Sequence, residues 1–108
     1  MSEKRRVVVT GIGVIASNGI GKDAFWEALK SGKSGVSTIT SFDSSSFTTH
    51  FAGEIKNFKP EEYVHPKNLR RMDRTSQLAV AAAKMAVQDA NLDPRSHGRE
   101  RTGVMIGT

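Results

Sequence analysis

Two groups of residues have types and spacings that could do chemistry. The first is a glycine-rich turn after a run of valines, residues 5–21 (RRVVVTGIGVIASNGIG), with glycines at 11, 13, 19 and 21. Such a turn at the carboxyl end of a strand is where open α/β sheets place phosphates. Gly11-Ile12-Gly13-Val14-Ile15-Ala16 satisfies G-x-G-x-x-A, but a dinucleotide site needs the helix to begin inside the motif, so that its amide end meets the pyrophosphate. Here the helical pattern begins only at Asp23, and no second strand ends in an acidic residue at the required distance. Residues 16–22, ending Gly21-Lys22, have the position of a P-loop, yet Asp23 stands where a magnesium-ligating hydroxyl belongs and Ala16 replaces the first glycine. The Gly-Lys-Ser at 32–34 follows a helix and lacks its upstream glycine. A nucleotide site is therefore disfavoured.

The second group is cationic. Lys67, Arg70 and Arg71 sit three and four residues apart, with Arg74 beyond them; Lys4, Arg5 and Arg6 precede the valine run, and Arg95, Arg99 and Arg101 lie near the end. With a net charge of +5, such clusters favour an acidic partner. The basic residues have no interleaved aromatics and no helix-turn-helix, zinc or RNP pattern, which argues against nucleic acid. His50, His65 and His97 share no metal-ligand spacing and read as surface histidines. The serines lack a nucleophile-elbow context. With no cysteine in 108 residues, a disulfide scaffold, a thiolate metal site and a cysteine nucleophile are excluded from this stretch. No apolar run approaches the ~20 residues that span a bilayer, and the N-terminus lacks a signal-peptide pattern.

The elements that must position these groups follow from periodicity and punctuation. Residues 7–9, a continuous β-branched run, predict an interior strand covered on both faces. Residues 23–31 predict a short helix, with Phe25 and Leu29 on one face and Gly32 as its stop. Residues 32–49, rich in Ser, Thr and Gly, predict a long loop whose Ile39, Phe42 and Phe47 dock on something larger. Residues 51–55 predict a short strand, and 66–72 one or two helical turns with Pro66 first. Residues 75–91 form the strongest helical pattern, with Asp73 as N-cap. Gln77, Ala81, Lys84, Gln88 and Asn91 make one narrow polar stripe, so the helix is expected to be largely buried between layers. Residues 102–106 predict a second buried strand. Two core strands are too few to cover that helix, so the sequence reads as the opening part of a larger α/β domain.

Three stretches together resemble one family: RRVVVTGIGVIASNGIGKDAFWEALKSGKSGV, FAGEIKNFKPEEY, and HPKNLRRMDRTSQLAVAAAKMAVQDANL leading into RTGVMIGT. They are similar, across essentially all 108 residues, to the N-terminus of β-ketoacyl-acyl-carrier-protein synthases, and the Phe42-Asp43 and Phe51-Ala52-Gly53 wording leans toward the type II, long-chain branch. The resemblance implies a thiolase-like αβαβα sandwich, of which residues 1–108 are the incomplete first part, usually as a cytoplasmic homodimer. It implies decarboxylative Claisen condensation of an acyl thioester with malonyl-carrier protein, with no cofactor and no metal. It implies that the turn over 11–21 is structural, and that the catalytic cysteine and two histidines lie beyond Thr108, so this stretch carries no catalytic residue. It also implies that Lys67, Arg70 and Arg71 meet the acidic surface of acyl carrier protein, with Arg74 on the rim. A chain-length-factor-like partner subunit and a polyketide ketosynthase share the same motifs.

Overall fold

The computed structural model describes residues 2–96 and 98–108, and His97 lies outside the described residues. The glycine turn folds back on itself. Ile15–Ala16 (β1) and Gly19–Ile20 (β2) pair antiparallel across the two-residue loop Ser17-Asn18, Ile15 opposite Ile20 and Ala16 opposite Gly19. Gly21 N–H then donates to Val14 O at 2.8 Å, and Lys22–Lys30 (α1) begins at once. Gly21 has φ +90°, a conformation that costs an L side chain but not glycine. At the other end of α1, Gly32 N–H donates to Leu29 O at 3.2 Å and Lys33 N–H to Ala28 O at 2.8 Å. This is a Schellman closure around Gly32.

The serine-rich segment is more ordered than its composition predicts. Val36–Thr38 (β3) pairs antiparallel with Phe51–Gly53 (β4), in register Val36 to Gly53 and Thr38 to Phe51. The intervening residues are pinned by Glu54, whose carboxylate accepts from Thr40 N–H at 2.9 Å and Ser41 N–H at 3.0 Å. Phe42 and Phe47 pack edge to face at 5.8 Å, and both remain exposed. A 3-10 turn, Pro60–Glu62, leads to Pro66–Leu69 (α2) and then Arg74–Asp89 (α3). Asp73 Oδ1 accepts from Ser76 N–H at 2.8 Å, which makes it the N-cap of α3. Asn91, at φ +50°, closes α3 by a second Schellman pattern, with Leu92 N–H on Val87 O at 3.1 Å.

Two expectations are overturned. Residues 7–9 and 102–106 form no ladder, and Val7 is 92% and Met105 99% exposed. A strand exists only through its neighbour's N–H and C=O groups, and these two segments find no such neighbour among the described residues. The expectation that α3 is largely buried between layers also fails: Ala81 is its buried residue, and Lys84 and Gln88 of the polar stripe are exposed. Lys84 Nζ donates to Tyr63 O, and Gln77 Nε2 donates to Met72 O at 3.2 Å. The segment through Tyr63 therefore lies on that stripe, where the small Ala81 permits close approach and a long lysine stem reaches over it. The helix also borders an open groove of about 580 Å³, lined by Val80, Ala83, Val87, Val104 and Ile106 together with Lys84 and Gln88 of the polar stripe.

The core is correspondingly thin: among the described residues Ala28, Val64 and Ala81 are the buried apolar side chains. The accessible surface is 9322 Å², against about 5,900 Å² for a compact monomer of this mass. The radius of gyration is 17.6 Å, against about 13 Å for a compact chain of this length. The folded chain thus leaves much of its apolar surface for something else to cover.

Candidate functional site

Two amides of the glycine turn are already committed to protein acceptors. Gly21 N–H is held by Val14 O, and Ile12 N–H donates to Asp89 Oδ2 at 2.9 Å. Lys22, the lysine a P-loop would aim at phosphates, is ion-paired with Asp89 Oδ1. Gly11 and Gly13 lie flat on α3: a Cβ at Gly13 would stand 2.8 Å from Ala86 N, and one at Gly11 2.7 Å from Ala90 Cβ. The glycines are there so that backbone can seat on the alanine face of α3. One carboxylate, Asp89, then clasps turn and helix together. The Lys22 ammonium bonded to it, followed by the Ile12 N–H, holds the Asp89 carboxyl below its usual range. Sequence reasoning missed Asp89. Its position at the last turn of the helix, 67 residues after Lys22, gave no local signal.

The other motifs are also absorbed by structure. In the Gly-Lys-Ser at 32–34, Ser34 Oγ accepts from Val36 N–H at 3.1 Å. His50 Nδ1 lies 3.4 Å from Ser44 Oγ, and Ser44 is buried. A polar cleft of about 390 Å³ opens beside the β1–β2 loop, lined by Ser17, Asn18, Lys33, Ser37, Glu54 and Lys56, with Lys56 Nζ on Ser37 Oγ at 2.9 Å. Among the described residues no three His, Asp or Glu side chains group as metal ligands.

The cationic group is different, because its charges are unspent. Lys67 lies within α2, and Arg70 and Arg71 follow directly, with Arg71 N–H on Asn68 O at 3.0 Å and Met72 N–H on Leu69 O at 3.1 Å continuing the turn. Spacing of three and four residues on consecutive helical turns brings the side chains to one face. All three are exposed, and among the described residues none joins an ion pair. Proline at the first helical position leaves Lys67 with the first free amide, and His65 Nδ1 accepts it at 3.2 Å. His65, expected to be an ordinary surface histidine, is thus the N-cap of the cationic turn. The signal available in the sequence was its place immediately before Pro66.

Arg74 stands apart from this face. Its Nη2 donates to Ile55 O at 3.0 Å, its guanidinium lies over the Phe58 ring at 5.9 Å, and Phe58 stacks on Tyr63 at 6.0 Å. Arg74 therefore braces the segment that supports α2. What remains is a solvent-facing trio of cations with no ion-pair partner among the described residues. It can attract and orient an anionic surface.

Comparison with known proteins bears on that arrangement. The family model described as "Beta-ketoacyl synthase, N-terminal domain" matches residues 4–108. The chain is 42% identical over 108 residues to 3-oxoacyl-[acyl-carrier-protein] synthase 2 of Staphylococcus aureus (strain COL), covering 100% of this chain and 26% of that protein. It is 42% identical over 106 residues to the Coxiella burnetii protein of the same name, covering 98% of this chain and 26% of that one. Among solved structures, the ishigamide ketosynthase/chain length factor superposes with a TM-score of 0.80 at 44% identity, covering 89% of this chain and 24% of that chain. The chain spans about a quarter of the length of these relatives.

Proposed function

Since the chain belongs to the β-ketoacyl synthase N-terminal-domain family and carries part of its thiolase-like α/β fold, we propose that it is the opening portion of a 3-oxoacyl-[acyl-carrier-protein] synthase of fatty-acid elongation. In that reaction an acyl group passes from its carrier thioester to a cysteine thiolate. Malonyl-carrier protein then loses CO2, and the resulting carbanion attacks the acyl thioester carbonyl as the thiolate leaves. This chain has no cysteine, so residues 1–108 contribute no nucleophile. They contribute the scaffold and a carrier-facing surface. We read the protein as cytoplasmic and, when complete, as a homodimer. No helix among the described residues is long and apolar enough to cross a membrane.

The observation that carries this reading is the exposed Lys67–Arg70–Arg71 face. Unpaired cations on a braced turn suit an acidic carrier protein, raising its encounter rate and fixing its orientation. In the complete synthase, Arg70→Glu or Arg71→Glu is expected to raise the KM for acyl-carrier protein about tenfold, since reversing one contact charge costs on the order of 1–2 kcal/mol near a protein surface. The effect should shrink as salt is added. An unchanged KM at low salt would remove the face from the reading. A second reading is a non-catalytic chain-length-factor-like subunit, and the likeness to a ketosynthase/chain length factor structure supports it. The residue at the family's cysteine position in the complete protein separates the two.

A further inference from the structure

We infer that His65 is a positioning residue for the Lys67–Arg70–Arg71 face, and that only its neutral imidazole performs this role, so that carrier binding is weakened by acid. The inference rests on the carrier-facing reading of those cations.

Three features lead to it. First, α2 is only four residues long, so a single capping bond is a large share of what holds it. Second, Pro66 has no N–H, which makes the Lys67 amide the first that needs a partner; the residue so fixed is itself one of the three cations. Third, the partner is an imidazole nitrogen rather than a hydroxyl or carboxylate. His65 Nδ1 accepts the Lys67 N–H at 3.2 Å, while His65 O accepts Asn68 N–H at 2.9 Å and Leu69 N–H at 3.3 Å. One residue therefore satisfies three successive amides of the turn.

An imidazole can accept at Nδ1 only when its proton sits on Nε2. Protonation places an N–H at Nδ1, facing the Lys67 N–H donor to donor, and the cap is lost. Ser, Thr, Asn or Asp at this position would cap without titrating near neutrality, whereas histidine changes charge between about pH 5 and 8. The charged groups on the elements around the ring are Lys67 on its own helix, Glu61 and Glu62 on the 3-10 turn packed against α2, and Lys84 of α3, whose Nζ donates to Tyr63 O. Among the described residues His65 forms no ion pair with either carboxylate. Protonation has an opposing consequence: it adds a fourth cation beside the face. At physiological ionic strength that addition is partly screened, and the direction in which KM moves with pH shows which of the two effects is larger.

The test compares KM for acyl-carrier protein in the complete synthase from about pH 8 to 5.5 at constant ionic strength near 0.15 M. Four proteins are measured: wild type, His65→Asn, His65→Ala and Arg70→Glu. Asparagine keeps an acceptor at every pH, so the ratio of wild-type KM to His65→Asn KM should be near one at the alkaline end. On acidification it should rise, by up to about fivefold, the equilibrium factor of one lost N-cap and the ceiling on the loss of competent turn. Taking the ratio cancels the titration of the carrier and of the catalytic groups. His65→Ala should show a raised KM across the whole range, with the change in KM rather than kcat. A ratio that stays flat, or falls as added charge outweighs the cap, overturns the inference. If Arg70→Glu raises KM while the ratio stays flat, only the role of His65 fails. If Arg70→Glu leaves KM unchanged, the carrier-facing reading fails and takes this inference with it.

Discussion

Replacing Gly13 with alanine separates a packing role for the glycine turn from a phosphate-binding role. A Cβ at Gly13 would sit 2.8 Å from Ala86 N and closer still to Ala82 O, both backbone atoms of α3. Ordinary contact begins near 3.4 Å, so the turn and the helix must part by at least about 0.6 Å, and no side-chain rotation can relieve backbone on both sides. Parting them also strains the bond from Ile12 N–H to Asp89 at 2.9 Å. The expected cost is about 3 kcal/mol, the upper end of overpacking penalties. The assay is urea or thermal unfolding of the complete protein, with exposed Lys59→Ala as a control expected to stay within ±0.5 kcal/mol. Because the obstruction is main chain, Ala86→Gly should fail to rescue Gly13→Ala. A phosphate cradle predicts the reverse: measurable ATP or NAD binding in the wild type, lost in Gly13→Ala with stability retained. Stability of Gly13→Ala equal to that of the control would refute the seating of turn on helix.

Other outcomes can be checked alongside. The Ser41 side chain, with the Thr40 N–H, holds Glu54 down from 4.5 to about 2. The stabilisation from Glu54 should therefore be fully present above about pH 4.5 and lost as pH falls toward 2, so the Tm values of wild type and Glu54→Gln should converge over that window. Asp73→Ala should lower the Tm by a few degrees through loss of the α3 cap, and Asp73→Asn should restore most of it. Asp89→Asn removes the ion pair with Lys22 while leaving an acceptor for Ile12 N–H, so it should destabilise less than Asp89→Ala, as read by urea midpoints. The isolated 108-residue chain, with its α3 groove uncovered, should associate as concentration rises; a retention volume independent of dilution on size exclusion would contradict that.

The helices were legible because their signals are local. Asp73 as cap, Gly32 as stop and the run of helix formers through 74–89 act within a turn or two of themselves. The strands were not, because pairing is a property of two segments. Residues 7–9 have strand propensity but no ladder, while Val36–Thr38, inside a Ser/Thr-rich stretch, gains one from Phe51–Gly53. The burial of α3 was overestimated for a related reason: the layers that its apolar residues call for are not supplied by the described residues, and Ala81 is its buried residue. Of the candidate site, the basic cluster from Lys67 to Arg74 was visible in the sequence and the family resemblance singled out three of its cations, but the histidine that caps their turn was visible only once the Lys67 amide had a direction.

The Asp89 clasp also fixes an order of events in time. Its two partners, Ile12 and Lys22, precede it by 77 and 67 residues, so during synthesis they wait for a carboxylate that has not been made. At translation rates of about 5–20 residues per second, the interval between Lys22 and Asp89 is about 3–13 s. The β1–β2 hairpin and α1 are closed by neighbours alone and can form within microseconds of emerging. For those seconds Gly11 and Gly13 have no helix to rest on. The nascent chain therefore passes through a stage in which the β1–β2 hairpin and α1 are formed while the glycines that precede them are unseated, and the clasp closes only when α3 has emerged.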